Sequence, residues 1–473
     1  MNASPFRHRG LVEGYYGPPT SHAERMVWLE RLGRWGMNRY VVAAKDDPFQ
    51  RAKWREPYPE AERRRFEELV NRGEEHGVSV GFALSPGLSI RYAAADDRRA
   101  LIEKFRSLRA LGVRFLSLQL DDVPSELADP NDESQFGSLA VAQISLMHEL
   151  AEALPDVCWW LVPTEYQGVA ATPYLEQLGQ ALDPSIEIGW TGPSVLSATI
   201  PAADAETRAT TLRRPLLLWD NVPVADGPMR VLLHQGPYTG REPGLTPHLS
   251  GVLLNPMEHA RASALAVRTA AAWLDDPERY EPEAAWEAAT RELGAGAPAA
   301  YRLFAEAHRW CIACPDERDR DLEAAFDGLR QDPSAPQKRA GLRNRLEERL
   351  AVKDALRTGL TDRELLAEIE PWLDAHHMET RRMLAALDLL DALAAPATAM
   401  ARCQAVIRFE GRLTRLPPTH LASYGPQRAF VPQLSSMRDD EARFESGSLT
   451  RDRNLAEEIV RFAEARAKAQ LGG

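Results

Sequence analysis

The sequence predicts an α/β protein in which a (β/α)8 TIM barrel is followed by an α-helical bundle. Eight short apolar segments alternate with helical patterns over about 280 residues, which matches such a barrel in count and size. Beyond residue 282 Ala, Glu, Arg and Leu dominate and β-branched residues become scarce. The runner-up, an open doubly wound sheet, usually carries a glycine-rich phosphate-binding fingerprint, and neither G-x-G-x-x-G nor a P-loop occurs. We therefore predict a catalytic barrel over residues 1–282 and a helical domain over residues 283–473.

The first half of the barrel is predicted from apolar runs that end in polar or glycine-rich turns. The helix over 22–36 has apolar residues at helical spacing and ends at Gly36, as is common for a C-terminal glycine. Further helices are expected near 60–76 and 97–111. The four strands read RGLVEGYYG at 9–17, NRYVVAAK at 38–45, VSVGFALSP at 78–86 and FLSLQLDDVP at 115–124.

The second half repeats the same alternation of strand and helix. Its strands read VCWWLVPTEY at 157–166, IEIGWTGP at 186–193, PLLLWDN at 215–221 and SGVLLNP at 250–256. The helices are expected near 136–153, 172–182, 203–212 and 261–274, and the 227–235 connection is expected to be short or irregular.

The region after residue 282 is predicted to be helical because its apolar residues recur at helical spacing. Prolines 333, 336 and 396 interrupt the pattern, and residues 417–450 are less regular. The helical patterns cover 283–330, 337–357, 362–394 and 398–413, and a final amphipathic helix covers 452–470.

The fourth strand carries the most informative motif, because its apolar run ends directly in Asp121 and Asp122. Adjacent acids are usually solvated turn or cap residues, and Asp-Asp occurs four more times in the chain. Only the pair at 121 and 122 follows an apolar strand. Parallel α/β folds place their chemistry at the carboxyl ends of strands, so these two carboxylates are the first catalytic candidates.

Composition excludes several classes of function. A net charge of −12 argues against a general nucleic-acid or anionic-membrane binder. No apolar run approaches the ~20 residues of a membrane-spanning helix, and the N-terminus lacks the apolar core of a signal peptide, so we expect a cytoplasmic protein.

The cysteines and histidines suggest no cofactor. Four cysteines in 473 residues are no disulfide framework. Cys311 and Cys314 form a C-x-x-C inside a helical pattern, which we interpret as two packed thiols on one helix face, because zinc usually needs four spaced ligands. We predict neither a metal nor another cofactor.

The carboxyl ends of all barrel strands face one mouth, and here they combine polar groups with aromatic rings. Such a mixture suits a sugar, whose hydroxyls need donors and acceptors and whose C–H face packs on rings. Carboxylates are the usual acids of glycoside hydrolysis. The strand ends carry Gly14, Tyr15, Lys45, Asp121, Asp122, Glu165, Tyr166, Trp190, Thr191, Trp219, Asp220, Asn221 and Asn255.

Several motifs together resemble glycoside hydrolase family 84, the β-N-acetylglucosaminidases that include enzymes removing O-linked N-acetylglucosamine from proteins. The resemblance covers the whole barrel in order, and its 36–60 block is highly specific. One departure is GPPTS at 17–21, where the family more often has an aromatic residue at the position of Thr20. The matching motifs are VEGYYG at 12–17, GMNRYVVAAKDDPFQRAKWREPYPE at 36–60, SPGLSI at 85–90, LQLDDVP at 118–124, PTEY at 163–166, WTGP at 190–193, WDN at 219–221, GPYTGR at 236–241 and GVLLNP at 251–256.

The resemblance implies a retaining, substrate-assisted mechanism in which the 2-acetamido oxygen of the substrate forms an oxazoline. Asp121 would polarise the acetamido N–H, and Asp122 would be the general acid and then the base. Two neighbouring carboxyls disfavour double ionisation, which agrees with such a division of roles. The resemblance also implies substrate-binding roles for Gly14, Lys45, Tyr166, Trp219, Asn221, Asp226 and Asn255.

Three functions remain open from the sequence. The first is an exo-hydrolase of terminal β-linked N-acetylglucosamine, including the sugar on Ser or Thr of glycopeptides. The second is a glycosidase of hyaluronan or chitin fragments, and the third is a non-catalytic sugar- or protein-binding barrel. Family resemblance and the apolar helical stripes further suggest a homodimer built on the helices, with the 417–450 segment near a sugar-binding mouth, its own or its partner's. The alternative is a bundle that only packs on the side of the barrel, with this segment as a surface loop. Tyr424, Phe430, Val431 and Leu434 of that segment are expected to be exposed.

Overall fold

A computed structural model describes residues 4–395, 397–425, 429–438, 441–449 and 454–471 of the chain. Its eight parallel strands pair in chain order, and the last pairs with the first to close a barrel. The predicted (β/α)8 barrel is therefore confirmed. The strands are β1 (His8–Glu13), β2 (Arg39–Val42), β3 (Ser79–Leu84), β4 (Phe115–Gln119), β5 (Cys158–Val162), β6 (Glu187–Trp190), β7 (Leu216–Asp220) and β8 (Leu249–Leu254).

Helices alternate with the strands around the barrel, as their apolar stripes predicted. Side chains at several N-termini cap them, as Ser21 and Thr172 do for the first and sixth helices. The long connection after β7 carries only two short 3-10 helices, Gly227–Val231 and Pro243–His248. The barrel helices are α1 (His22–Arg34), α2 (Glu60–Glu75), α3 (Ala95–Arg109), α4 (Pro130–Phe136), α5 (Leu139–Ala153), α6 (Pro173–Ala181), α7 (Ala202–Leu212) and α8 (Ala260–Asp275).

Alternation along the strands divides the apolar residues into two layers. Leu116, Leu118 and Leu120 of β4 belong to the large core between barrel and helices. The other set fills the barrel interior and consists of Val12, Val41, Ala43, Ala83, Phe115, Trp160, Val162, Leu217, Trp219 and Leu253. A residue that continues this inner set beyond the end of its strand therefore points into the mouth.

The remainder of the described chain is mainly helical, as expected. The first half of the 32-residue helix α14 packs in the core that also surrounds the barrel, and Trp372 Nε1 donates to Val231 O at 3.1 Å. The second half packs with α16 in a separate cluster. The helices are α9 (Pro282–Leu293), α10 (Pro298–Ala307), α11 (Arg320–Gln331), α12 (Pro336–Leu350), α13 (Val352–Gly359), α14 (Arg363–Ala394), α15 (Ala399–Arg415) and α16 (Leu455–Leu471). The domain boundary after residue 282 stays a prediction.

Two expectations for this part of the chain are wrong. Cys311 and Cys314 lie in a turn between α10 and α11 rather than on a helix. Pro315 disfavours helical geometry at the residue before it, and Asp319 caps α11 by accepting from Leu322 N at 3.0 Å. The helical pattern predicted for 283–330 is thus interrupted.

The second wrong expectation concerns the 417–450 segment. Tyr424 is buried, and its hydroxyl lies 2.7 Å from Thr380 Oγ1. The segment also contains two antiparallel strands, β9 (Ala429–Arg438) and β10 (Glu441–Leu449). The exposure expected for Phe430, Val431 and Leu434 lies outside what the structure describes. Among the described residues, no helix combines the length and apolarity needed to cross a bilayer.

Candidate active site at the mouth of the barrel

Asp121 continues the inward-facing series of β4, following Phe115, Ser117 and Gln119. Its Oδ2 accepts a hydrogen bond from Lys45 Nζ at 2.6 Å, and the same ammonium lies 3.4 Å from Gln119 Oε1. Both partners of this ion pair are almost fully buried. Burial raises the pKa of Asp121, and the charge of Lys45 opposes that rise. The pair therefore holds a buried carboxylate at the mouth of the barrel.

The second oxygen of Asp121 is available to a ligand. Oδ1 is buried and has no hydrogen-bond partner among the described residues. A buried carboxylate oxygen without a partner costs free energy unless something else satisfies it. A substrate N–H group directed at Oδ1 would supply that hydrogen bond.

Asp122 has an unusual backbone conformation. Strict alternation would direct its side chain away from the barrel interior, but its φ of 54° lies in the left-handed region that non-glycine residues rarely adopt. Its carboxylate accepts from Tyr16 Oη at 2.7 Å and from Tyr166 Oη at 3.1 Å. The local turn thus brings the second carboxylate to the same mouth as the first.

Two tyrosines therefore hold Asp122, and only Tyr166 was predicted from the sequence. Burial and the charge of Asp122 raise the pKa of both Tyr16 and Tyr166, so both remain hydrogen-bond donors at neutral pH. Tyr16 also donates its backbone N–H to Asp226 Oδ2 at 2.7 Å, and burial raises the pKa of Asp226. Tyr16 was missed because only Gly14 and Tyr15 were assigned to the end of the first strand.

A hydrogen-bonded group of side chains forms the opposite wall. Trp219 Nε1 donates to Asn221 Oδ1 at 2.9 Å, and Asn255 Nδ2 donates to the same oxygen at 2.9 Å. Asn255 Oδ1 accepts from Gly14 N at 3.1 Å. A Cβ on Gly14 would lie 2.0 Å from Trp219 Cζ2, so only glycine allows the ring to lie against this strand.

Lys45 joins the two sides of the mouth, because its ammonium also lies 5.6 Å from the Trp219 ring centroid. The candidate residues and Tyr16 thus form two contact groups, which meet where Asp121 and Asp122 adjoin in the chain. They are Gly14, Lys45, Asp121, Asp122, Tyr166, Trp219, Asn221, Asp226 and Asn255.

Other polar residues at the strand ends serve the scaffold. Asp220 alternates away from the mouth and forms a fully buried ion pair with Arg241 at 2.5 Å. Glu165 accepts from Thr172 Oγ1 at 2.6 Å, and Tyr15 lies 2.9 Å from Thr20 Oγ1. A strand-end position alone therefore does not separate binding residues from structural ones.

We expect the variant Lys45→Met to move the acidic limb of the kcat/KM profile to higher pH. The resemblance to family 84 implies that Asp121 accepts an N–H of the substrate, for which it must be ionised, so activity is expected to fall as pH drops through its pKa. Burial already raises that pKa and Lys45 lowers it, so removing the ammonium raises it further. The kcat/KM profile reports groups of the free enzyme, and it should be measured on an aryl N-acetylglucosaminide. Lys53→Met, which changes an exposed lysine of the same loop, should leave the limb in place; an unmoved limb in Lys45→Met contradicts the assignment.

Paired carboxylates, hydroxyl donors and an aromatic wall at the carboxyl face of a (β/α)8 barrel place this chain among the barrel glycoside hydrolases. Residues 9–306 match the model of the β-N-acetylglucosaminidase family. The chain belongs to that family, which is glycoside hydrolase family 84. The matched range contains every residue of the site described above.

Individual relatives agree with this membership. The protein O-GlcNAcases of Rattus norvegicus and Mus musculus are each 35% identical over 271 residues, which cover 56% of this chain and 29% of theirs. The chain thus matches less than a third of the length of those relatives. A mutant of the Thermobaculum terrenum O-GlcNAc hydrolase superposes with a TM-score of 0.84 at 28% identity, covering 99% of this chain and 97% of its own. CpGH84B gives a TM-score of 0.79 at 26% identity, with 88% and 75% covered.

Proposed function

We propose that the chain is a retaining exo-β-N-acetylglucosaminidase that removes terminal β-linked N-acetylglucosamine, including the sugar on Ser or Thr of glycopeptides. The observation that carries the proposal is the unpartnered, buried Asp121 Oδ1 beside a second carboxylate. A 2-acetamido N–H is a hydrogen-bond donor, and it complements this carboxylate oxygen, which carries negative charge and accepts hydrogen bonds. The names of the rat, mouse and Thermobaculum relatives support the same substrate class.

In the first proposed step, the acetamido oxygen of the substrate attacks the anomeric carbon. Asp121 accepts the acetamido N–H and stabilises the positive charge that develops on the oxazoline ring, while Lys45 orients Asp121. Asp122 gives its proton to the departing oxygen. The bond to the leaving group breaks as the bond to the acetamido oxygen forms, so no carboxylate of the enzyme becomes esterified.

In the second step, Asp122 takes a proton from water as that water attacks the anomeric carbon and opens the oxazoline. The hydrogen bonds from Tyr16 and Tyr166 keep the carboxylate at one position in both steps. Both attacks occur on the same carbon from opposite faces, so the sugar leaves with its β configuration retained.

The remaining residues of the site are proposed to bind the sugar ring. Trp219 forms a wall of the acetyl pocket, and Asn221 lies beside it. Asp226, held by Tyr16 N, accepts from hydroxyls at the far side of the ring. Gly14, through its backbone, and Asn255 contribute further hydroxyl contacts.

We expect N-trifluoroacetyl substitution of an aryl glucosaminide to lower kcat/KM strongly, because fluorine makes the carbonyl oxygen a weaker nucleophile. A thiazoline analogue of the oxazoline should bind more tightly than the substrate, as intermediate-like molecules do. Steady-state rates along the fluoroacetyl series test the nucleophile, and calorimetry measures thiazoline binding. Mass-spectrometric trapping of a glycosyl ester on an enzyme carboxylate would overturn the mechanism. Hyaluronan and chitin oligomers serve as competing substrates, and turnover of polymer alone would favour the endo-acting alternative.

We also propose a homodimer formed through the helical region. Met400 and Ile407 lie seven residues apart on α15, and their side chains are 67% and 66% exposed; this spacing places them on one helix face. The backbone of β9 lies against the 3-10 helix Gly227–Val231, directly after Asp226, which supports a position of the 417–450 segment near a mouth.

We expect sedimentation of the wild-type chain at micromolar concentration to show a dimer, the commonest symmetric assembly. Replacing both Met400 and Ile407 by Glu should shift the species toward the monomer mass of 52.7 kDa, because burying a charge in an apolar interface costs free energy. A double replacement by Ala tests for simple loss of packing. A wild-type monomer at all concentrations contradicts the dimer.

A cytoplasmic location is proposed from the chemistry of the cysteines. All four are free thiols, as expected in a reducing compartment. The net charge of −12 also favours glycopeptide partners over nucleic acid or anionic membranes. Cell fractionation with thiol labelling of the native protein tests the location, and recovery of the protein outside the cytoplasmic fraction would contradict it.

A further inference from the structure

Three potential metal ligands meet in the interior, away from the catalytic carboxylates. His234, Cys311 and Cys314 are all buried, and their ligand atoms lie within 4.8 Å of one another. Cys311 Sγ is 4.0 Å from His234 Nε2. A tetrahedral zinc ion with its usual bond lengths would place sulfur and nitrogen ligands about 3.5 Å apart. A shift of about 0.5 Å would therefore close this pair around an ion.

Two separate parts of the chain supply these ligands. His234 lies in the β7–β8 connection, shortly after the 3-10 helix Gly227–Val231, whereas the cysteines flank the turn between α10 and α11. Cys314 N donates to Cys311 O at 3.1 Å, which closes the turn and places both thiols on one side. This C-x-x-C turn is the usual way in which two cysteines chelate zinc from one segment.

The charges of the cluster suit a divalent cation. With both thiols deprotonated and the imidazole neutral, a divalent zinc ion would bring the net charge of the group to zero, which reduces the cost of burying it.

A second cluster has similar residue types, but both ring nitrogens of its histidine already have hydrogen-bond partners. His8, Cys158 and Glu187 lie at the amino ends of the strands. Arg39 Nε donates to His8 Nδ1 at 3.1 Å, so His8 Nε2 carries the proton that faces Glu187 at 3.1 Å. Both imidazole nitrogens are occupied and an arginine is adjacent, so this cluster is no site for a cation.

We propose that His234, Cys311 and Cys314 bind one Zn²⁺ ion, with a water molecule as the fourth ligand. Thr239 Oγ1 lies 3.5 Å from Cys314 Sγ, so its hydroxyl could donate to that sulfur as a thiolate. Soft thiolates with an imidazole select zinc over magnesium or calcium. The ion would fasten the C-terminal helices to the connection that carries Asp226, beside a cavity lined by Asn221, Ala225 and Met229. Its role is structural and does not depend on the proposed hydrolase reaction.

Metal content tests the proposal directly. Untagged, reduced protein is loaded with Zn²⁺ and separated from excess ion, and its zinc content is measured by elemental mass spectrometry. We expect about one zinc per chain in the wild type, as the single site requires. Cys311→Ser and Cys314→Ser should each lose most of it, whereas Cys403→Ser, which changes an exposed cysteine, should retain it. Zinc in the wild type no higher than in Cys311→Ser would overturn the site.

A second measurement uses only the wild-type protein, so it does not depend on whether any variant folds. Cys311 and Cys314 of the wild type should resist alkylation in the presence of Zn²⁺ and react after a chelator is added, as located by peptide mass spectrometry. Loading with Co²⁺ instead should give the charge-transfer absorption of cobalt–thiolate bonds. Equal alkylation with and without zinc, or a mass lower by two hydrogens that marks a Cys311–Cys314 disulfide in the protein as isolated, contradicts the proposal.

Discussion

Replacement of Asp122 by Asn is expected to lower kcat/KM by about 10²–10⁴-fold on substrates with poor leaving groups, the usual contribution of a general acid. An amide cannot protonate the departing oxygen. Asn keeps the size of the side chain and tolerates the left-handed φ of 54° better than most residues. The loss should therefore come from chemistry and not from a change of fold.

The measurement is a series of aryl N-acetylglucosaminides whose leaving groups differ in pKa. Activated leaving groups need less protonation, so their first step should suffer less in Asp122→Asn than that of alkyl glycosides. Glu165→Gln is a matched control, since this acid also follows a barrel strand but is bonded to Thr172. An equal loss across the whole series would contradict the role of Asp122 as the general acid.

Replacement of Asp121 by Asn is expected to lower kcat by about 10²–10³-fold, the usual cost of removing one preorganised electrostatic contact to a transition state. The developing charge of the oxazoline loses its counter-charge, whichever group is leaving. The variant also leaves Lys45 buried without its carboxylate partner at 2.6 Å. The free energy of unfolding should fall on the order of 1–3 kcal/mol as a charge-assisted bond is weakened.

Three measurements separate the catalytic effect of Asp121 from the structural one. The rate loss should be the same for all leaving groups, and affinity for a thiazoline should fall with it. In the double variant with Lys45→Met, the melting temperature should recover while activity does not, because the unpaired cation has been removed. Unchanged thiazoline affinity in Asp121→Asn would show that this carboxylate does not contact the acetamido group.

The barrel could be predicted because buried parallel strands are short apolar runs that end abruptly in polar residues. The same rule located Asp121, which continues the inward series of Phe115 and Gln119, and Asn221, which follows Trp219. Alternation along β1 could also have identified Tyr16, two residues beyond the inward Gly14, because Val12 belongs to the barrel interior. The fold could thus be predicted wherever the periodicity of the local sequence determines the direction in which a side chain points.

Contacts between distant parts of the chain could not be read in this way. Apolar residues near 311 keep a helical spacing, yet the segment turns, and its cysteine meets a histidine 77 residues earlier. The ion pair of Asp220 with Arg241 likewise connects the end of β7 to a residue 21 positions later, and nothing local distinguishes Asp220 from a binding carboxylate. Such groupings depend on the closure of the barrel and on the packing of the helices around it.

The left-handed backbone at Asp122 limits which amino acids a directed-evolution library can place there. Asn and Gly adopt this conformation readily, whereas for Ala the left-handed backbone costs roughly 1–2 kcal/mol of free energy and for β-branched residues it costs more. A saturation library at this codon should therefore yield folded, inactive protein mainly from Asn and Gly, while Val and Ile give poor soluble yield. A ligand-capture reagent made from this barrel is best built on Asn at position 122 rather than on the customary alanine.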